Sequence, residues 1–307
     1  MRIVSLLPST TEIAFALGLG DQVVAVTHEC DYPPAARERP VVTGSALDHS
    51  AASSAEIDAA VRGQLGEGLS IYTLNEALLD ELRPDLILTQ ALCEVCAVSF
   101  GTVQRAVAGL GGEPHILSLE PTDLEGILGT VLAVGNAAGR RDEALGLVAA
   151  LRARVEAVRA RAATAAYRPR VACLEWFDPP FGPGHWLPEL VEIAGGKAGL
   201  GRAGEPSRRI SWGDVIAFAP EVIVLTPCGF DLERTVHEAA EILPHRMGWS
   251  ALPAVRAGRV YAVDGNSYFS RPGPRIVDSL ELLARLIHPE LFPGWGPAAG
   301  ARPLAFS

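Results

Sequence analysis

Short apolar runs alternate with helical spacing through the first 120 residues of the chain. Residues 3–7 (Ile3, Val4, Leu6 and Leu7 around Ser5) predict a short buried strand. Ser9 with Glu12 three residues on predicts a capping box that opens a helix, which Gly18 and Gly20 close. Residues 23–27 supply the next strand. Further on, a helix ends over residues 78–82, Pro84 stops it, and residues 85–89 read as a buried strand. Residues 99–110 predict a helix closed by Gly111 and Gly112, and residues 115–119 predict a strand. This alternation predicts a mainly parallel sheet with helices on both faces.

From Thr122 the period changes. Apolar positions recur at helical spacing to Val134, and residues 141–166 form an Ala-, Arg- and Leu-rich stretch without proline, ended by Pro169. A helix of that length spans about 35 to 40 Å. Alternation resumes with a strand over residues 171–176, and the second half partly repeats the first. Ala219-Pro220-Glu221-Val222-Ile223-Val224-Leu225-Thr226 matches Arg83-Pro84-Asp85-Leu86-Ile87-Leu88-Thr89 with one residue added, and residues 256–263 echo residues 18–26. The fold expected is α/β: two Rossmann-like lobes joined by a single long backbone helix. The lobes are expected at 1–121 and 169–297, the helical connection at 122–168, and a loose tail at 298–307. A single doubly wound domain with an overlong helix is the plainer alternative.

Composition narrows the function classes. The chain has 307 residues, 49% hydrophobic and 20% charged, with a formal net charge of −10 that disfavours nucleic acid and anionic membrane as partners. Five cysteines are too few, and an odd number, for a disulfide scaffold. No apolar run approaches a membrane span, so no direct membrane insertion is expected. A strand beginning at Ile3 leaves no place for an export leader, so the expected compartment is the cytosol, with reduced thiols.

In open α/β lobes, ligands sit beyond the carboxyl ends of the parallel strands. The segments there are Pro8-Ser9-Thr10-Thr11, whose helix N-terminus suits an anionic or polar group, then His28 to Pro33, and Gln90 with the cysteine-bearing stretch after it. In the second half they are residues 175–186, 226–230 and 266–275. Aromatics make up only 6% of the chain, yet Trp176, Phe177, Phe181, Trp186, Phe230, Tyr268 and Phe269 all fall at or near these strand ends. Singly, such rings pack loop bases. Together, on Pro- and Gly-rich loops, they suit a flat macrocycle with an amphipathic rim.

The order strand, Pro-Ser-Thr-Thr-Glu, helix, Gly-Leu-Gly-Asp, strand, Asp-Tyr-Pro resembles the cobalamin-, haem- and siderophore-binding proteins of ABC importers, the helical-backbone (class III) substrate-binding proteins. Pro179-Pro180-Phe181-Gly182 is similar to the Pro-Pro-Phe turn of the cobalamin binders, and Asp31-Tyr32-Pro33 to their Asp-Tyr-Pro. Ser270-Arg271-Pro272-Gly273-Pro274-Arg275 is similar to the entry of their last helix. The resemblance implies a two-lobed binding protein without catalytic activity that holds a corrinoid in the interlobe cleft, as carrier, store or sensor. An ABC permease would be its partner only if the chain is exported. The ligand-facing residues so implied are Ser9, Thr10, His28, Tyr32, Gln90, Trp176, Phe181, His185, Trp186, Phe230, Tyr268 and Arg271. Siderophore sites of this class use several convergent arginines; here Arg271 and Arg275 are the main candidates, with Arg208 and Arg209 nearby.

Cys93-Glu94-Val95-Cys96, with His28 and Cys30 beyond a neighbouring strand, is a candidate zinc site, since a Cys-x-x-Cys loop can turn two thiolates to one centre. A redox pair, two small buried residues, and an axial contact from His28 or His185 to cobalt are the alternatives. Competing functions are therefore a metal- or cluster-dependent enzyme or redox protein built on the cysteines, and a haem or ferric-siderophore binder. No nucleophile elbow, phosphate-binding loop or dinucleotide fingerprint is present, and Glu175 and Asp178 beside two prolines read as turn formers.

Overall fold

The computed structural model describes residues 1–46, 52–67, 70–91 and 100–306. The chain divides into two compact units. The first comprises Met1–Ala52, Glu56–Pro121 and Glu125–Ala150; the second comprises Ser53–Ala55, Thr122–Leu124 and Leu151–Ser307.

The first unit's elements are β1 (Ile3–Ser5), α1 (Pro8–Ala16), β2 (Val23–Val26), β3 (Thr43–Ser45), α2 (Ser54–Gly66), β4 (Tyr72–Leu74), α3 (Glu76–Leu82), β5 (Leu86–Thr89), α4 (Phe100–Ala108), β6 (His115–Ser118) and α5 (Leu124–Ala137). The first turn of α2 belongs by its contacts to the second unit. A parallel sheet runs β2-β1-β5-β6, and β3 and β4 form a separate antiparallel pair. Because helices cover both faces of such a sheet, β1 and β5 are buried along their whole length. Val4, Ala25 and Ile87 form one face of the core with Leu79, Val103 and Ala106 of the covering helices.

The helix α6 (Arg141–Ala162) runs from the first unit into the second. Its 22 residues correspond to about 33 Å. It ends four residues before the sequence-based expectation, where the Thr164 and Ala165 amides bond only three residues back, to the Arg161 and Ala162 carbonyls, and tighten the last turn.

The second unit follows with β7 (Arg170–Leu174), β8 (Trp176–Phe177), β9 (Pro180–Gly182), α7 (Leu187–Ile193), β10 (Lys197–Ala198), β11 (Arg208–Arg209), α8 (Trp212–Phe218), β12 (Val222–Leu225), α9 (Leu232–Ile242), α10 (Pro253–Arg256), β13 (Val260–Val263), α11 (Ile276–Ile287) and β14 (Ala301–Pro303). Its main sheet is β10-β7-β12-β13-β14, parallel except for β14. A smaller antiparallel sheet, β11-β9-β8, stands beyond the end of β7.

The first repeat is reproduced in atomic detail. Helices α3 and α8, seven residues each, are capped by Asn75 and Ser211 and end on a left-handed residue, Arg83 (φ 44°) and Ala219 (φ 47°). A proline and an acid follow. The Asp85 amide donates to the Arg2 carbonyl and the Glu221 amide to the Arg170 carbonyl, both at 2.8 Å. In return the Arg2 amide donates to the Asp85 carboxylate, and the Arg170 amide to that of Glu221. The second echo does not correspond to topology. β13 neighbours β12 as β6 neighbours β5, whereas β2 lies on the other side of β1, so the likeness of residues 256–263 to 18–26 is the shared grammar of a breaker before a buried strand.

Two further expectations are corrected. Ser9 does not cap α1: Pro8 occupies its first turn and Leu7, extended, is the N-cap, so Ser9 lies inside the helix. The reciprocal capping box occurs instead at Ser211 and Asp214. The tail is not loose, because β14 pairs with the edge of β13 and Leu304 and Phe306 pack on the core containing Trp249. Among the described residues no helix is long and apolar enough to cross a membrane.

Candidate functional site

At the carboxyl end of β1 the hydroxyls turn inward. Thr10 Oγ1 donates to the Leu7 carbonyl (3.0 Å) and lies 2.6 Å from Ser5 Oγ. Thr11 Oγ1 bonds Ser5 Oγ (2.7 Å) and lies 3.0 Å from Cys30 Sγ. Ser9 and Thr10 are buried, so the structure makes Thr10 part of a packed hydroxyl cluster rather than a group presented to a ligand. The cause is the early start at Pro8, which puts these side chains within reach of a helix-end carbonyl.

His28 is part-buried and clamped. Its Nδ1 lies 2.7 Å from Thr43 Oγ1, which also accepts the His28 amide (3.1 Å), while Nε2 lies 3.3 Å from Glu29. Tyr32 is 44% exposed and Gln90 is buried at the end of β5. Cys93 and Cys96 lie outside the described residues. Among the described residues no cluster of three or more His, Cys, Asp or Glu side chains is placed to hold a metal. The Cys30 thiol and the His28 imidazole instead serve separate partners, Thr11 and Thr43, so the zinc expectation gains no support from them.

The second unit gathers most of the expected aromatic residues. β8 and β9 form a hairpin that folds Trp176 opposite Phe181, whereas the sequence pattern predicts a single strand running through Trp176. The turn is held by Arg246, which pairs with Asp178 (3.0 Å) and donates to the Phe177 carbonyl. The Trp176 ring stands 5.1 Å from Phe230, and its Nε1 donates to the Ser54 carbonyl (3.0 Å). Ser54 in turn donates its amide to the Glu238 carboxylate (2.6 Å). The Arg234 guanidinium sits 3.8 Å from the Phe230 centroid, and Arg275 lies 5.5 Å from that of Tyr268.

Burial separates two groups among these residues. Trp186, Phe230 and Arg271 are buried, with Trp186 Nε1 donating to the Phe269 carbonyl (3.0 Å) and Arg271 to Asn266 (3.2 Å). They support the loops. Trp176, Phe181, His185 and Tyr268 are only partly buried and keep surface for contact. His185 adopts a left-handed backbone (φ 49°), and burial lowers its pKa, which favours the neutral imidazole. Glu175 heads the same loop system. Its carboxyl accepts the Gly184 amide (3.1 Å), and packing by the surrounding protein pushes it up to about 7.

The sequence pattern gives no role to Arg234 or Ser54 and reads Glu175 as a turn former. Arg234 had a signal: it lies in the first turn of α9, whose cap Asp231 directly follows Phe230, so that turn brings its side chain back over the ring. Ser54 and Glu175 had none, because their contacts depend on segments distant in sequence. A separate cavity of about 430 Å³, lined by Tyr167, Arg259, His288 and others, opens at the amino ends of β7 and β13, away from the loops described above.

Residues 3–266 match the model of the family described as periplasmic binding protein (Peripla_BP_2). The ABC transporter substrate-binding lipoprotein YvrC of Bacillus subtilis (strain 168) is 24% identical over 299 residues, covering 95% of this chain and 81% of the relative. A vitamin B12-binding protein of Vibrio cholerae serotype O1 is 25% identical over 284 residues, 91% of this chain and 86% of the relative. In fold, the chain is similar to a periplasmic heme binding protein from Pseudomonas aeruginosa, with a TM-score of 0.73 at 20% identity over 100% of this chain and 99% of that one.

Proposed function

The chain belongs to the periplasmic binding protein family, and we propose that it is a substrate-binding protein for a tetrapyrrole-type macrocycle, with cobalamin as the first candidate. The observation that carries this reading is the set of partly exposed rings, Trp176, Phe181, His185 and Tyr268, on the hairpin and loops that follow the parallel strands β7 and β13. Flat, rigid side chains bury large ligand area at little entropic cost, and the backbone groups of Pro- and Gly-rich loops suit a rim of amides. Tyr32, exposed in Asp31-Tyr32-Pro33, and Phe181, in the Pro-Pro-Phe hairpin, favour a corrin. A relative named for vitamin B12 supports the same choice. The activity is binding and release rather than turnover, and the receiving partner is the permease of an ABC importer. Cell fractionation separates that role from an intracellular carrier.

Haem is the second reading, favoured by one observation. The His185 imidazole, neutral and half-buried, is a ready axial donor to iron as well as to cobalt. Absorption titration and thermal shift with hydroxocobalamin and with haemin test both. Saturating changes in the corrin bands and a raised Tm are expected. A Soret change with haemin and no response to any corrinoid selects the second reading, and silence with both overturns the proposal.

A further inference from the structure

The loop at 183–186, which carries His185 and leads into α7, is held from two sides. Against it lies the segment at 200–207: the His185 amide donates to the Glu205 carbonyl (2.6 Å), and the Gly204 amide donates back to the His185 carbonyl (2.9 Å). The approach is backbone to backbone. A Cβ at Gly184 would collide with the Ser207 nitrogen, and one at Gly201 with the Pro183 carbonyl, so only glycine fits either place. On the other side stands Glu175. Its amide donates to the Phe181 carbonyl (3.0 Å), its carbonyl accepts from the Cys228 amide (3.4 Å), and its carboxyl accepts the Gly184 amide and a hydrogen bond from Ser207. One residue thus ties together the hairpin bearing Phe181, the loop bearing His185, the segment clamped over that loop, and the loop after β12.

We propose that Glu175 is the positioning residue of the ligand-facing loops, setting the Phe181 and His185 side chains through its bonds to Gly184 and Ser207; this rests on the macrocycle-binding reading above. A neutral amide would serve a purely structural purpose at lower cost, since a buried carboxyl loses hydration when it ionises. The ionised form is the stronger acceptor, so it draws Gly184 and Ser207 in more firmly. Burial places the change between the two forms at about pH 7. The titratable and charged groups on the segments that touch Glu175 are Cys173 on β7, Asp178 in the hairpin, His185, Arg202 and Glu205 on the facing loops, Arg208 and Arg209 on β11, and Cys228 after β12. Burial drives the shift, and the Ser207 and Gly184 bonds oppose it.

Amide hydrogen exchange in the intact, ligand-free protein reads the positioning directly. Glu175→Ala is expected to lower protection at Gly184 by about tenfold or more, the loss of one charge-assisted hydrogen bond. In the wild type, protection at Gly184 should rise through about pH 7. Glu175→Gln keeps a carbonyl acceptor but cannot ionise, and should abolish that rise. Titrations with hydroxocobalamin and haemin then test the consequence: for the probe the wild type binds, affinity should rise through the same pH and be flat in Glu175→Gln. Unchanged protection at Gly184 in Glu175→Ala, or superimposable pH profiles for wild type and Glu175→Gln, overturns the assignment. If Glu175→Ala does not fold, the profile of Glu175→Gln decides alone. A wild type that binds neither probe while Gly184 responds as expected sinks the ligand reading and leaves the positioning role standing.

Discussion

The Arg234 guanidinium lies 3.8 Å from the centre of the Phe230 ring, which in turn stands 5.1 Å from Trp176. Burial lowers the pKa of the guanidinium against the pull of Glu238 and Asp231, so its charge faces the ring in a partly desolvated setting where cation–π attraction counts. Arg234→Ala should cost about 1 kcal/mol in urea unfolding and alter Trp176 fluorescence. Arg234→Lys should recover only part of this, because an ammonium does not stack as a planar fork does. An unchanged midpoint with unchanged emission would remove Arg234 from this arrangement.

Trp176 and Trp186 should behave differently although both are strand-end aromatics. Trp176 is partly exposed, so Trp176→Ala should weaken hydroxocobalamin binding by about 1 to 3 kcal/mol, the scale of a lost interface anchor. Trp186 is buried and bonded to Phe269, so Trp186→Ala should cost about 3 to 5 kcal/mol of stability. Calorimetry for the first and denaturant titration for the second check the division; a reversal of the two phenotypes would refute it.

Glu175 also makes stability depend on pH, with a sign opposite to that of a salt-bridged acid. Its folded pKa, about 7, lies above the ordinary carboxylate value of 4.5. Between these the native state holds a proton that the unfolded chain has released, so the contribution of Glu175 is favourable below 4.5 and is lost as pH rises through about 7. The loss amounts to at most about 3 kcal/mol at 1.36 kcal/mol per pKa unit. Glu175→Gln should lack this slope and be more stable than wild type at pH 8, which paired urea titrations at several pH values would measure. Parallel slopes in both proteins would contradict the burial of the carboxyl.

The carboxyl-terminal strand closes the edge of the second sheet. Phe306 meets Trp249 edge to face at 5.0 Å, and Arg302 pairs with Glu233. Phe306→Ala should cost about 1 to 3 kcal/mol, the ring contact plus its buried area. Removing residues 301–307 should in addition bare the β13 edge and promote association, visible by light scattering. A truncated chain as stable and monodisperse as the full one would return these residues to the status of a tail.

The sequence by itself determined the elements whose signals are local. Pro84 and Pro220, each after a helix and before an acid and a run of three or four apolar residues, mark helix, break and buried strand without reference to anything distant. The long helix α6 and the doubled α/β pattern follow from periodicity in the same way, because apolar spacing and breakers act within a few residues. Only the tertiary structure decided which strand answers to which, since strand order depends on pairing between segments far apart in the chain. It also decided that Thr10 faces Ser5 and the Leu7 carbonyl, that residues 301–303 complete a sheet, and that Trp176 bends into a hairpin against Phe181. Glu175 is the clearest case. Two prolines nearby make it look like a turn residue, yet its partners Gly184 and Ser207 are set by a clamp of two loops whose closeness no local pattern encodes.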